Sequence, residues 1–263
     1  MKKKTETEKQ FTEQKHTSKT ETEKKEPISE HINALRKTII ICLVFIIAGM
    51  GICYGLFRRE LMNLFTSPVQ SLNVAMIYTG VSEGFMTEMK VSLLSGIILT
   101  SPFTGLFIWR FVSPAFFSNE RRSILRYSAI SVFLFIAGVL FCYYELVPLV
   151  LRFFLTSTVV NARAMYTIGD YIRFIVKMIL PFGLAFEMPL IVYLLIVHRI
   201  VLVSEITKAR KFVFLGCFIL GAVLTPPDVI SQIMISVPMY LLYESGILFA
   251  RMSMRRRKDV ERK

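Results

Sequence analysis

The run FIVKMILPFGLAFEMPLIVYLLIV, Phe174–Val197, decides the fold class. Its 24 residues contain two ionisable side chains, Lys177 and Glu187, and are otherwise almost wholly apolar. About 20 helical residues cross a hydrocarbon layer roughly 30 Å thick, so the run is long enough to span a bilayer. Working outward, comparable runs are Thr38–Phe57, Lys90–Trp109, Tyr127–Val150, the 13-residue Phe212–Leu224, and Val229–Ala250. Within lipid only helices and closed barrels satisfy their backbone groups. These runs lack the period-two alternation of barrel strands, so they read as an all-α, polytopic membrane protein with six transmembrane helices, or five if the 13-residue run, short for a span, is re-entrant. The turn Thr225-Pro226-Pro227-Asp228 between the last two runs is short enough to make them a tight helical hairpin.

Composition agrees. Of 263 residues, 54% are hydrophobic, and residues 1–37 hold only six of those side chains. The rest of the chain is about 60% hydrophobic, against roughly 45–50% in a soluble protein. Residues 1–30 alternate Lys, Glu and Thr and read as a disordered, charged cytoplasmic tail. Residues 31–250 form the membrane domain, and 251–263 a basic cytoplasmic tail. The net charge of +13 is a matter of topology. Tail 1–37, segments 110–126 and 198–211, and the chain from Arg251 together hold 25 Lys and Arg, whereas the opposite loops hold four. The positive-inside rule then puts both termini of this multi-pass membrane protein in the cytoplasm. Bases scattered over four segments form no nucleic-acid footprint.

Cys42, Cys53, Cys142 and Cys217 all lie in apolar runs without metal-ligand spacing and pack as small hydrophobes. Gly51 and Gly55 fit a GxxxG helix-contact pattern. The chain has no phosphate loop, HExxH or GxSxG motif, so no catalytic residue, cofactor or metal is expected.

Carboxylates inside a membrane cost about 2.5–3.5 kcal/mol each at a helix centre, which makes them functional candidates. Glu187 lies near mid-bilayer, between Pro181 and Pro189, both expected to kink its helix. Glu145 and Glu244 lie close to span ends. Asp228 sits where a helix N-cap belongs, and Gln232 is placed for a helix–helix hydrogen bond. Glu120, in a cytoplasmic loop, suits either a helix N-terminus or a basic peptide. On these residues alone, a secondary transporter using Glu187 for proton coupling is the rival reading.

The motifs, taken in order, are similar to those of the TatC family, the multispanning core of the twin-arginine protein translocase. His31-Ile32-Asn33-Ala34-Leu35-Arg36 resembles its H-L-x-E-L-R motif. Trp109-Arg110-Phe111-Val112-Ser113-Pro114, Asn119-Glu120-Arg121-Arg122, Phe182–Pro189, Thr225–Asp228 and Pro238–Glu244 continue the likeness across residues 30–250. The resemblance implies a receptor for signal peptides bearing two consecutive arginines, driven by the proton-motive force. It implies an oligomeric complex with TatA-type single-span proteins and leaves a separate TatB-type partner open. It also implies that the fifth and sixth helices are short. By the same resemblance, His31, Leu35, Arg36, Phe111, Pro114 and Glu120 bind the signal peptide. Glu187, Gln232 and Glu244 contact partner helices or line a polar cavity, Pro68 belongs to the first external loop, and Asp228 to the last hairpin. At one position the chain departs from the pattern: Ala34 stands where the family has Glu. Glu30, four residues earlier and on the same face of a helix extended backward, is the candidate substitute.

Overall fold

The computed structural model describes residues 28–72, 74–112, 121–156, 165–225 and 228–261. These fall into two units, Met1–Ile40 and Ile41–Lys263. In the first, the start of α1 (Ile28–Gln70) is helical. In the second, α1 continues and is followed by α2 (Glu83–Val112), α3 (Arg121–Phe141), α4 (Val147–Thr156), α5 (Ile168–Ala185), α6 (Met188–Val197), α7 (Val203–Leu224) and α8 (Val229–Glu261).

Among the described residues, five helical stretches are long and apolar enough to cross a membrane: Ile32–Gln70, Glu83–Val112, Ile124–Thr156, Ile168–Val197 and Val229–Arg255. α7, which contains the fifth apolar run, is not among them. It has 22 residues, but only its second half is apolar. Helices also outrun the apolar segments that nucleate them. α1 has 43 residues, because the polar segment Arg58-Arg59-Glu60 after its apolar run is made of good helix formers. α8 is not short: it has 33 residues and carries its helix through the basic chain after Ala250.

The chain is not wholly helical. The two loops at the far end of the first four spans pair as short parallel strands, β1 (Ala75–Ile77) and β2 (Met165–Thr167), with Ala75 opposite Met165. Three residues a side are too few to give an alternation legible in sequence. Glu83, at the first turn of α2, ties this region together. Its carboxylate accepts from Thr79 N at 2.5 Å, Gly80 N at 3.2 Å and, across the loops, Gly169 N at 2.7 Å. The last of these is a backbone donor at the N-terminus of α5, where a negative charge is favoured.

α2 packs on α3 and α5, α3 on α5, α6 on α8, and α7 on α8. The closest crossings run through glycines. A Cβ at Gly96 of α2 would lie 2.6 Å from Met50 N of α1, and one at Gly138 of α3 would lie 2.8 Å from Phe182 O of α5. One at Gly246 of α8 would lie 2.9 Å from Pro189 Cα. Only a missing side chain allows backbones to approach that closely. Gly51 and Gly55, by contrast, meet nothing within 4 Å among the described residues, so the expected GxxxG contact is not made there. Fully buried Leu94, Leu146, Ile172, Ile175, Met178 and Phe182 fill the centre of the main core.

Two irregularities interrupt the spans. Between α3 and α4, Cys142–Leu146 forms a π turn, with Val147 N–H donating to Cys142 O five residues back. Pro148 follows and has no N–H for Tyr144 O, so the ladder is already broken in register there. Between α5 and α6, the helix breaks at Phe186–Glu187, where Glu187 N–H donates to Leu184 O at 3.1 Å. Of the two prolines expected to kink this span, Pro189 sits just past the break and Pro181 lies inside an uninterrupted α5. The difference is positional. Pro189 falls in the first turn of the new helix, where a missing N–H costs nothing.

Candidate functional site

Glu187 opens α6, and its side chain enters a cavity of about 480 Å³ walled by α1, α2, α3, α5 and α6. The wall is mostly aliphatic and aromatic, with Cys42, Ser101, Thr104 and Ser131 as its other polar members. Ser131 Oγ, buried on α3, donates to Glu187 Oε1 at 2.8 Å. The α2 hydroxyls turn back into their own helix. Ser101 Oγ donates to Ile98 O at 2.7 Å, a carbonyl deprived of its usual donor by Pro102, and Thr104 Oγ1 donates to Thr100 O at 3.1 Å. Among the described residues, Glu187 therefore holds one hydrogen bond, from a neutral donor. The α3–α5 crossing at Gly138 and Gly183 sets this geometry. A Cβ at Gly183 would lie 2.6 Å from the Phe135 ring, so α3 rides against α5 closely enough for Ser131 to reach the break.

The α7–α8 hairpin treats its polar groups differently. Glu244 Oε2 lies 2.7 Å from Arg210 Nη2, and Glu244 Oε1 accepts from Tyr240 Oη at 2.8 Å. Gln232 Nε2 donates to Phe218 O at 2.9 Å, Ser236 Oγ to Cys217 O at 3.0 Å, and Tyr243 Oη to Ile206 O at 2.7 Å. Asp228 Oδ2 accepts from Ser231 N at 2.9 Å and so caps α8. Of the three residues grouped as a partner contact or polar cavity, only Glu187 lines the cavity. Gln232 and Glu244 are occupied by α7, because the tight hairpin holds Phe218 O and the Arg210 side chain opposite them.

The residues expected to bind a signal peptide lie in three places. Leu35 and Arg36 are exposed on α1 in the first unit, as is Ala34. Glu30 and His31 belong to the α1 backbone, but their side chains lie outside the described residues, as do Pro114 and Glu120. Phe111 is half-buried at the end of α2, two residues after Trp109, whose ring stacks on Tyr127 at 6.2 Å. Pro68 is not in a loop. It is buried inside α1, two residues before its end, because the helix runs on past its apolar segment to Gln70.

A family model described as Sec-independent protein translocase protein (TatC) matches residues 30–238. This chain belongs to the TatC family. A TatC protein of Carboxydothermus hydrogenoformans is 40% identical over 223 residues, which cover 84% of this chain and 91% of that one. The TatC protein of Escherichia coli K12 is 31% identical over 229 residues, 86% of this chain and 88% of the other. A crystal structure of a twin-arginine translocase receptor, TatC, in the detergent DDM superposes with a TM-score of 0.78 at 31% identity, covering 84% of this chain and 99% of that one. The chain is thus a membrane protein of several apolar helices and a component of a TatC-type protein translocase. Two features of the TatC-like domain carried little or no signal in the sequence: the Glu83 bridge, and the bonds of Tyr143 Oη to Leu64 O and of Tyr171 Oη to Phe65 O in α1. An acid in a helix's first turn hints at the former. The backbone groups that these side chains meet leave no trace in residue identity.

Proposed function

We propose that this protein is the receptor for twin-arginine signal peptides and the core of the translocase that carries folded proteins across the membrane on the proton-motive force. The observation that carries the reading is the family match, which runs from the motif before the first span into the last hairpin. In this reading all six helices cross, and the distribution of 25 Lys and Arg against four keeps both termini in the cytoplasm. The paired arginines meet carboxylate in bidentate geometry. Glu120 supplies it, with Glu30 standing in for the acid replaced by Ala34. His31, Leu35, Arg36, Phe111 and Pro114 shape the same surface. The half-satisfied Glu187, in a cavity open to neighbouring helices, takes the polar side of a TatA-type single-span helix, and the working unit is an oligomer of such complexes.

The test is export of a reporter in a strain lacking its own TatC, with paired-arginine and paired-lysine signal peptides. Export of the arginine form alone is expected, and equal export of both, or of neither, overturns the receptor role. Crosslinking of the signal peptide in Glu30→Gln and Glu120→Gln variants then separates the two acids. Unchanged binding removes the substituted residue from the site.

A further inference from the structure

We infer that Tyr143 is a positioning residue whose hydroxyl takes the place of the backbone donor that Pro68 lacks, fixing the far end of α1 to the π turn of the third span. In a regular helix the N–H of residue 68 would bond to Leu64 O. Pro68 has none. Instead Tyr143 Oη donates to Leu64 O at 2.5 Å, from 79 residues away. Ser67 Oγ lies 3.0 Å from the same carbonyl and 2.9 Å from Tyr143 Oη, so its proton serves one of the two. Tyr143 also sets its ring edge-on to Phe65, with centroids 6.1 Å apart. One helix turn of α1 thereby gains a third-span partner at each of two positions.

The donor side is as specific as the acceptor side. Tyr143 is the second residue of the π turn Cys142–Leu146. A π turn inserts one extra residue and rotates the side chains that follow by roughly a third of a turn relative to a continuous α-helix. Pro68 vacates a carbonyl, and the π turn aims a hydroxyl at it. A second tyrosine supports the same segment: Tyr171 Oη of α5 donates to Phe65 O at 2.9 Å. Four residues after Phe65 stands Val69, an ordinary N–H donor, so that bond is additional where the Tyr143 bond is substitutive.

The consequence is a helix held at two points. α1 is fixed to α2 at Gly49 and Gly96 and to the third span at Leu64. Between those points Cys53, Phe57 and Leu61 wall a second cavity of about 370 Å³, lined elsewhere by α2, the third span and α5. Loss of the Tyr143 bond frees one end of that wall.

Hydrogen exchange of the purified full chain in detergent reads this directly, and it does so whether or not the signal-peptide reading holds. Tyr143→Phe keeps the ring and removes the hydroxyl. It is expected to speed exchange of the peptide covering residues 61–72 by roughly two- to tenfold, the worth of one hydrogen bond. Pro68→Ala returns an N–H to Leu64 O. In that background Tyr143→Phe is expected to change the rate by less than about twofold. A merely structural tyrosine would give the same fold-change in both backgrounds, and that result overturns the inference. No change from Tyr143→Phe in the Pro68 chain overturns it too. Should Pro68→Ala fail to accumulate, Pro68→Ser carries the same N–H and the same expectation.

Discussion

The cavity that Glu187 enters and the hairpin that Glu244 closes are built from the same material: apolar helices crossing at glycine, with an acid and a few hydroxyls among the apolar side chains. They differ in what meets the acid. Glu244 has a guanidinium at 2.7 Å and a phenol at 2.8 Å, so both its oxygens are satisfied by the chain. Among the described residues, Glu187 has a single serine at 2.8 Å and a cavity of about 480 Å³ in front of it. A carboxylate satisfied on all sides holds helices together, whereas one left partly satisfied retains affinity for a donor the chain does not supply. The position of an acid in a span therefore says less about its role than the number of donors the fold brings to it.

The largest effects come from filling the crossings. At Gly138 the added Cβ would lie 2.8 Å from Phe182 O, a backbone atom that cannot step aside. Gly138→Leu should cost about 3 kcal/mol, seen as a lower melting temperature in detergent. At Gly221 in the hairpin the nearest atom is Ser236 Oγ at 2.5 Å, the end of a small side chain. Gly221→Leu should cost less, about 1–2 kcal/mol. Equal losses would mean that the two crossings are equally rigid.

The acids come next. Glu244→Ala leaves Arg210 without its carboxylate. A buried pair so broken loses about 3–5 kcal/mol, but Arg210 is 42% exposed and Glu244 28%, so about 1–2 kcal/mol is expected after solvent screening. Removing Arg210 as well should restore part of it. Glu187→Ala should cost under about 1 kcal/mol of stability, since only one neutral hydrogen bond is lost. It should nevertheless lower reporter export by about tenfold or more, as loss of a charge-assisted contact does, while signal-peptide binding stays near normal. If the two variants lose stability and export in the same proportion, the distinction between the two regions is void.

Much of this division was legible before any coordinates. Uninterrupted apolar length identified the spans, and the isolation of Glu187 within one of them singled it out. What lay beyond reach were contacts made by backbone. The actual α1–α2 crossing uses one glycine from each helix, Gly49 and Gly96, which forms no pattern along either. Gly51 and Gly55 do form a pattern and meet nothing among the described residues. The family resemblance puts Pro68 in a loop, yet it lies inside α1, and the Leu64 carbonyl that it leaves without a donor is taken by a tyrosine from another span. Depth in the span already separates Glu187 from Glu244 in the sequence, but the partners of Gln232 and Glu244 depend on the tertiary positions of Phe218 and Arg210, which residue identity does not reveal.

The smallest effect tests the link between the two regions. α6, which carries Glu187 at its start, ends at the only described non-glycine residue in the left-handed region, Arg199 with φ 57°. Ile200 N–H donates to Leu195 O at 3.0 Å and Arg199 N–H to Ile196 O at 3.1 Å, the paired bonds of a Schellman end. That position favours glycine, since a side chain there costs about 1–2 kcal/mol. Glycine's greater freedom in the unfolded chain returns roughly half of the gain. Arg199→Gly should therefore stabilise the protein by about 0.5–1 kcal/mol and leave 24 bases against four in the two sets of segments, too small a change to reorient it. A rise in melting temperature with export unchanged would mean that the α6–α7 link is a passive joint. A rise in melting temperature with export reduced would mean that the strain at Arg199 is used, and that the cavity and the hairpin move against each other at this residue.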